Sequence, residues 1–354
     1  MKKALALILS ATMLMTVLTS CGGGDKPGAD PGTTGGPATE AGATKENPHI
    51  WKVGTSAGLV NGKHVIYDLI LKLKEEVEAA TDGRYQLETY HSSQLGSDRD
   101  TLEGTVMGTY QCTVVPGTFI SAYVDEFNAF EFPYLFRSPE HFFNTMQSDV
   151  AKEIGEKLAD HGLVWLGNGM NGILSISNSK RDIRTVDDFN GLKIRVIDSP
   201  IQVGAVNLLG GTGTVVNWGE TYTALQQNTI DGVITTGSGF LSGKIHEVNK
   251  FHTEANIFIT PISIVMNQEY WNSLPEADRD LIKGAVDKTL AWHRETAVDG
   301  LNADLQTCID AGPMSNVTYD EFDHDAAKEA MAPLYEEYAD KYQEYFDRIA
   351  EIEG

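Results

Sequence analysis

The chain has 354 residues, a formal net charge of −23 and three cysteines. So acidic a protein is not drawn to nucleic acid or an anionic membrane face by its overall field, and three cysteines are too few for a disulfide scaffold. A single cation can still dominate its own pocket, because charges beyond about 10 Å are largely screened at physiological salt.

The chain starts with a targeting segment over 1–21. Lys2 and Lys3 precede a mostly apolar run over 4–18, too short to span a membrane comfortably, and Leu18-Thr19-Ser20-Cys21 closes it. The small residues before Cys21 fit a bacterial lipoprotein box, with Cys21 lipidated as the new N-terminus. The alternative is an ordinary secretory signal in which Cys21 is incidental. Residues 22–48, rich in Gly, Thr, Ala and Pro without hydrophobic periodicity, read as a flexible linker. The expectation is an extracytoplasmic protein, lipid-anchored to the bacterial membrane on a leash. Cys112 and Cys308 are expected as small buried thiols, with a disulfide between them as the alternative.

Residues 50–53 read as a strand. Residues 64–80 read as an amphipathic helix, with Val65, Leu69, Leu73 and Val77 at four-residue steps. Strands follow at 85–90 and 112–115, separated by a turn at 92–96 and a helix at 98–107. This alternation predicts an α/β domain with a largely parallel sheet. The aromatic run 127–136 reads as core and 140–161 as helix. Residues 164–166 and 173–177 read as two strands, with a crossing between lobes near Asn171. A short capped helix at 185–189 leads into 191–232, read as strand, turn, helix, strand, helix, strand. The run 233–240 with a turn at Thr235-Thr236, a helix at 241–247, a β-prone run at 256–266 and a helical region over 267–311 follow. The tail over 320–354 has twelve acids and three bases, and Tyr335, Tyr338, Tyr342 and Phe346 form one stripe of it. The stripe is expected to be core, laid across the lobes as a C-terminal helix with its acids in solvent.

The catalytic and metal patterns are poor. Gly54-Thr55-Ser56-Ala57-Gly58 matches the G-x-S-x-G nucleophile elbow, but it follows the first strand, and the next helix starts several residues later. A ligand-facing loop is the better reading, with an exported lipid-anchored serine hydrolase using Ser56 as the runner-up. Gly210-Gly211-Thr212-Gly213 lacks the ending of a phosphate loop and follows a helix, so it reads as helix termination. No H-E-x-x-H or C-x-x-C pattern exists, and His246 and His252 have no partners at useful spacing, so neither a metal nor a cofactor is expected. Asn316-Val317-Thr318 is a glycosylation sequon of little weight here.

Arg195 is the conspicuous residue, one cation between Ile194 and Val196 in a core-forming strand. Buried there it needs an anion, either an internal Asp or Glu or a ligand carboxylate matched by its planar fork. Trp218, in a turn before the helix at 220–227, reads as core or as a stacking wall.

At these residues the chain resembles the solute-binding subunit of tripartite ATP-independent periplasmic (TRAP) transporters. The likeness spans nearly all of 49–320, strongest at SSQLGSDRDTLEG (92–104), FEFPYLF (130–136), GLKIRV (191–196) and ETYTALQQNTIDG (220–232). It implies a two-lobed α/β periplasmic-binding-protein fold, type II-like, with crossing strands and a long C-terminal helix. Lobe I would comprise 49–170 and 261–300, lobe II 171–260 and 301–319, and the C-terminal helix 320–354. It implies that Arg195 binds a ligand carboxylate, that Trp218 lines the pocket, and that Ser56, Ser97, Thr118 and Asn171 lie where contacts fall. The turn after Asp-Gly in such proteins usually carries Glu and Pro; here it is Ile234, Thr235 and Thr236, and Thr235 and Thr236 take its place as ligand contacts. The second Arg of the sialic-acid branch is absent after Asn171-Gly172, which disfavours sialic acid and points to a monocarboxylate or a smaller, more apolar acid. The partners implied are a small organic acid and the TRAP membrane permease subunits. A sensor feeding a membrane receptor is the third reading.

Overall fold

The computed structural model describes residues 43–312 and 314–354. The targeting segment, Cys21 and residues 22–42 lie outside the described residues. The expected linker is too long at its C-terminal end. Ala43 is buried, Thr44 and Asn47 exchange backbone hydrogen bonds of 3.1 and 3.2 Å, and Lys45 pairs with Asp82 at 3.0 Å. A buried methyl and a closed turn pin 43–48 to the folded body.

The strands are β1 (His49–Gly54), β2 (Tyr85–Tyr90), β3 (Cys112–Pro116), β4 (Leu163–Asn178), β5 (Lys193–Val196), β6 (Thr212–Val215), β7 (Gly232–Thr235), β8 (Phe251–Asn267) and β9 (Ser315–Val317). β1 and β2 form a parallel pair. The others form one sheet of order β3-β8-β4-β7-β5-β6, with β9 on β8. β4 and β8 run antiparallel along their whole length, from Leu163 opposite Asn267 to Asn178 opposite Phe251. At about 3.3 Å per residue this ribbon is roughly 50 Å long, more than one lobe's width. β3 pairs with its 262–266 end, whereas β7 pairs with its 175–178 end and carries β5 and β6 in parallel. The ribbon thus joins two lobes, and the sheet is mixed rather than largely parallel.

The two strands expected at 164–166 and 173–177 are one strand. Glycines between them suggested a break, but β8 holds the segment in the ladder through β-bulges. One bulge falls at Asn171. Met170 is opposite Pro261 and Gly172 opposite Thr260, leaving Asn171 as the extra residue. Gly172, at φ +158, packs so closely that a Cβ would sit 2.3 Å from Thr236 Cγ2.

Other boundaries also move. The helix expected over 140–161 is Pro139–Met146, Asp149–Glu156 and a 3-10 turn, Lys157–His161. The run 233–240 turns from β7 into the helix Gly237–Ser242, because Thr236 Oγ1 accepts the Gly239 N–H at 3.1 Å as an N-cap. The region 267–311 divides at Leu274-Pro275 into Gln268–Ser273 and the 35-residue helix Glu276–Asp310. That long helix packs on the helix Val65–Ala80, on β4 and on Gly237–Ser242, so it braces both ends of the ribbon.

The tail over 320–354 is two helices, His324–Glu337 and Ala339–Ala350, hinged at Tyr338. The aromatic stripe is nonetheless core. Phe132, fully buried, lies 4.9 Å from Tyr335 and 4.7 Å from Phe346, ring centre to ring centre. Tyr342 Oη also donates to the Asp125 carbonyl at 3.1 Å. Tyr342→Phe should therefore lower stability by about 1 kcal/mol in denaturant unfolding. Cys112 and Cys308 are both free and buried, and burial pushes each thiol up to about 12.

Candidate functional site

Arg195 in β5 is buried between the fully buried Ile194 and Val196, with 6% of its surface exposed. Its Nε–H donates to the Val216 carbonyl at 2.9 Å. Among the described residues no carboxylate lies within salt-bridge distance, and neither Nη nitrogen makes a hydrogen bond. Burial without a counter-charge pulls the guanidinium down to about 10, so it stays charged at neutral pH. The internal ion pair is thus not found among the described residues. Trp218 is the first residue of the helix Trp218–Gln226 rather than part of a preceding turn. Arg195 Cζ sits 5.4 Å from the indole centre. A cation held over an aromatic face, with its fork free, suits a planar anion.

The space it faces is a cavity of about 90 Å³ between the lobes. Arg195, Trp218, Thr235 and Thr236 line one side, Asn171 the crossing strand, and Ser56, His64 and Asp98 the other. An extension of about 50 Å³ adds Thr118, Gln202 and Thr260. Asn171 Nδ2 donates to Thr260 Oγ1 at 3.1 Å, so the bulge residue belongs to the wall.

Seven of the eight expected positions come together; Ser97 does not. Its hydroxyl accepts the Asp100 N–H at 3.2 Å, and Asp100 returns a bond to the Ser97 N–H at 2.7 Å. A capping box turns that side chain onto its own helix, and Asp98, one residue on, faces the cavity instead. Asp98 accepts from both the N–H and the hydroxyl of Ser56, the former at 2.9 Å. Burial raises its pKa, and the two Ser56 bonds oppose the rise.

His64 was not singled out from the sequence. It caps the helix Val65–Ala80, its Nδ1 accepting the Ile66 N–H at 3.2 Å. That bond places the ring proton on Nε2, and burial pulls the pKa down to about 4, so the ring is a neutral donor. The only sequence cue was its place at a helix start. Asp98 was within reach of sequence reasoning, because it sits in the SSQLGSDRD motif. Behind the extension, Thr118 Oγ1 donates at 2.9 Å to Glu131, which is fully buried and has Oε1 unpaired.

The serine-hydrolase reading gains nothing from this arrangement. Ser56 is bonded to a carboxylate, not to an imidazole. His64 has Nδ1 occupied and Nε2 protonated, so it has no lone pair for the Ser56 proton. Among the described residues no group of three His, Cys, Asp or Glu side chains could hold a metal ion.

A two-lobed α/β receptor closing around a buried guanidinium is the class that this fold and cavity define. Residues 57–341 match the family of bacterial extracellular solute-binding proteins, family 7, and the chain belongs to that family. The C4-dicarboxylate-binding periplasmic protein DctP of Shewanella loihica is 29% identical over 77% of this chain and 81% of its own length. A TRAP periplasmic solute-binding protein from a Polaromonas species, solved with D-erythronate, superposes with a TM-score of 0.81 at 26% identity, over 86% of this chain and 99% of its own. One from Bordetella, with density attributed to pantoate, also gives 0.81, at 25% identity over 86% and 100%. The protein is thus a TRAP-type extracytoplasmic solute-binding protein, of a family whose members are receptors rather than enzymes.

Proposed function

We propose that the cavity captures a small monocarboxylate, whose carboxylate takes the fork of Arg195, and that the protein hands it to a TRAP membrane permease while tethered by lipid at Cys21. The observation that carries this reading is the buried guanidinium with no anion of its own among the described residues. Trp218, Thr235 and Thr236 flank the carboxylate. Asp98 accepts a hydroxyl from the far end of the ligand, and His64 Nε2–H donates to it. The D-erythronate and pantoate of the two solved relatives each combine one carboxylate with hydroxyls.

The lobes in this reading are 49–170 with 261–300, and 171–260 with 301–319, and 320–354 braces them. The Asn171 bulge is the hinge. A ligand bonded to both lobes favours the closed form, because only that form offers both sets of partners. Calorimetry with D-erythronate and with its uncharged amide tests the carboxylate. The acid should bind at least about 30-fold tighter, the lower end for losing one partner of a buried charge pair. Equal affinities for acid and amide would defeat the proposal.

A further inference from the structure

A second cavity of about 310 Å³ lies against the first, lined by Ser56, Ser92, Ser93, Trp218, Tyr222 and Ser242, among others. Ser56 and Trp218 are the two residues common to both walls. Ser56 is tied to Asp98, and swinging its side chain aside breaks the hydroxyl bond. The indole forms the larger part of the partition. It is wedged between the Arg195 guanidinium and Gly243, where a Cβ would come 2.9 Å from Trp218 Cζ2.

The outer cavity is built rather than incidental. Ser92 and Ser93 both adopt left-handed backbone, φ +51 and +58, which non-glycine residues seldom do. They are held there by bonds from Ser92 N to the Ala57 carbonyl at 2.8 Å and from Ser93 N to the Thr55 carbonyl at 3.2 Å. Tyr222 is anchored by Glu247 at 3.0 Å. The lining is hydroxyl-rich and presents no charged side chain. Such a wall suits a neutral polyhydroxylated chain, not a second carboxylate.

The inner cavity, about 90 Å³, is the smaller of the two, against about 310 Å³ for the outer one. We infer that Trp218 sets ligand length: it confines the wild-type protein to short hydroxy acids, and its removal joins the outer cavity as a subsite for a longer polyhydroxylated tail. This rests on the carboxylate reading of Arg195. The selectivity lies in the size of residue 218, because no other single side chain closes the passage without also holding Asp98.

The test is calorimetry of the full chain with a series of aldonates from glycolate (two carbons) through D-erythronate to D-gluconate (six). Wild type should favour D-erythronate over D-gluconate by about tenfold or more, the discrimination a tight pocket gives against an added carbon. Trp218→Ala should bring the two within about threefold, and Trp218→Phe should fall between. The ratio is read rather than either affinity, because the variant also loses the indole face over Arg195. A folded Trp218→Ala protein with the wild-type ratio overturns the inference, as does a wild type that binds D-gluconate as well as D-erythronate. Trp218→Ala that binds nothing while wild type binds also overturns it, since the indole is then a contact and not a partition. If no aldonate binds wild type, the carboxylate reading falls and this inference with it.

Discussion

Arg195→Ala is expected to weaken binding of D-erythronate by about 2–5 kcal/mol, the cost of leaving one buried charge without its partner. The loss is that large because the carboxylate would be left in the cavity with no second cation. Among the residues lining both parts of the cavity Arg195 is the sole Arg or Lys. Arg195→Lys should recover only part of it, since an ammonium supplies the charge without the planar fork and its shorter reach leaves Val216 unbonded. The charges of this pair should themselves be constant from about pH 5 to pH 9, because a ligand carboxylate is ionised above the first and the guanidinium is charged below its pKa of about 10, so a change of affinity within that range reports other groups such as Glu131. Calorimetry on the three proteins measures all of this. An alanine variant that folds and binds as wild type does would remove Arg195 from the site.

The second large effect concerns stability. Glu131 is fully buried behind Thr118, and burial raises its carboxyl from 4.5 to about 7. The folded state therefore holds a proton that the unfolded chain has released between those values. Its contribution is complete below about pH 4.5 and is lost as pH rises through 7, by up to about 3 kcal/mol. His64 and His293, both buried and pulled down to about 4, act oppositely between pH 4 and 6.5, since the unfolded rings hold protons that the folded ones do not. The Glu131 effect is therefore read as a difference. Glu131→Gln, neutral at every pH, should gain stability relative to wild type as pH rises from 5 to 8, by about 2–3 kcal/mol in urea unfolding. A difference that stays constant over that range would show that Glu131 does not titrate between those states.

Much of the fold was legible because its cues are local. The four-residue apolar steps of 65–77, the Ser199-Pro200 helix start and the aromatic stripe of the tail each announce an element through the period its own backbone imposes. β4 was not legible as one strand. Its glycines weaken local preference, and the pairing that overrides them comes from β8, about 90 residues away. The helix start at Thr236 was not legible for a related reason. A threonine reads equally as strand or as helix cap, and packing against Leu301 of the long helix decides it, since a Cβ on Gly237 would come 2.2 Å from the Leu301 carbonyl.

The site divides along the same line. That Arg195 is an awkward cation needing an anion follows from its two apolar neighbours alone, and so does the absence of a catalytic or metal pattern strong enough to compete. Whether the anion is internal could not follow from sequence, because any of the chain's fifty acids might have folded against it. The offset from Ser97 to Asp98 follows from a local capping box. The neutral ring of His64 and the hydroxyl-rich cavity beyond Trp218 are instead products of contacts between distant segments. Their residues are spread from 56 to 245. Sequence periodicity reports which face of an element is buried; what that face meets is set by contacts between distant segments, and those exist only once both lobes are assembled.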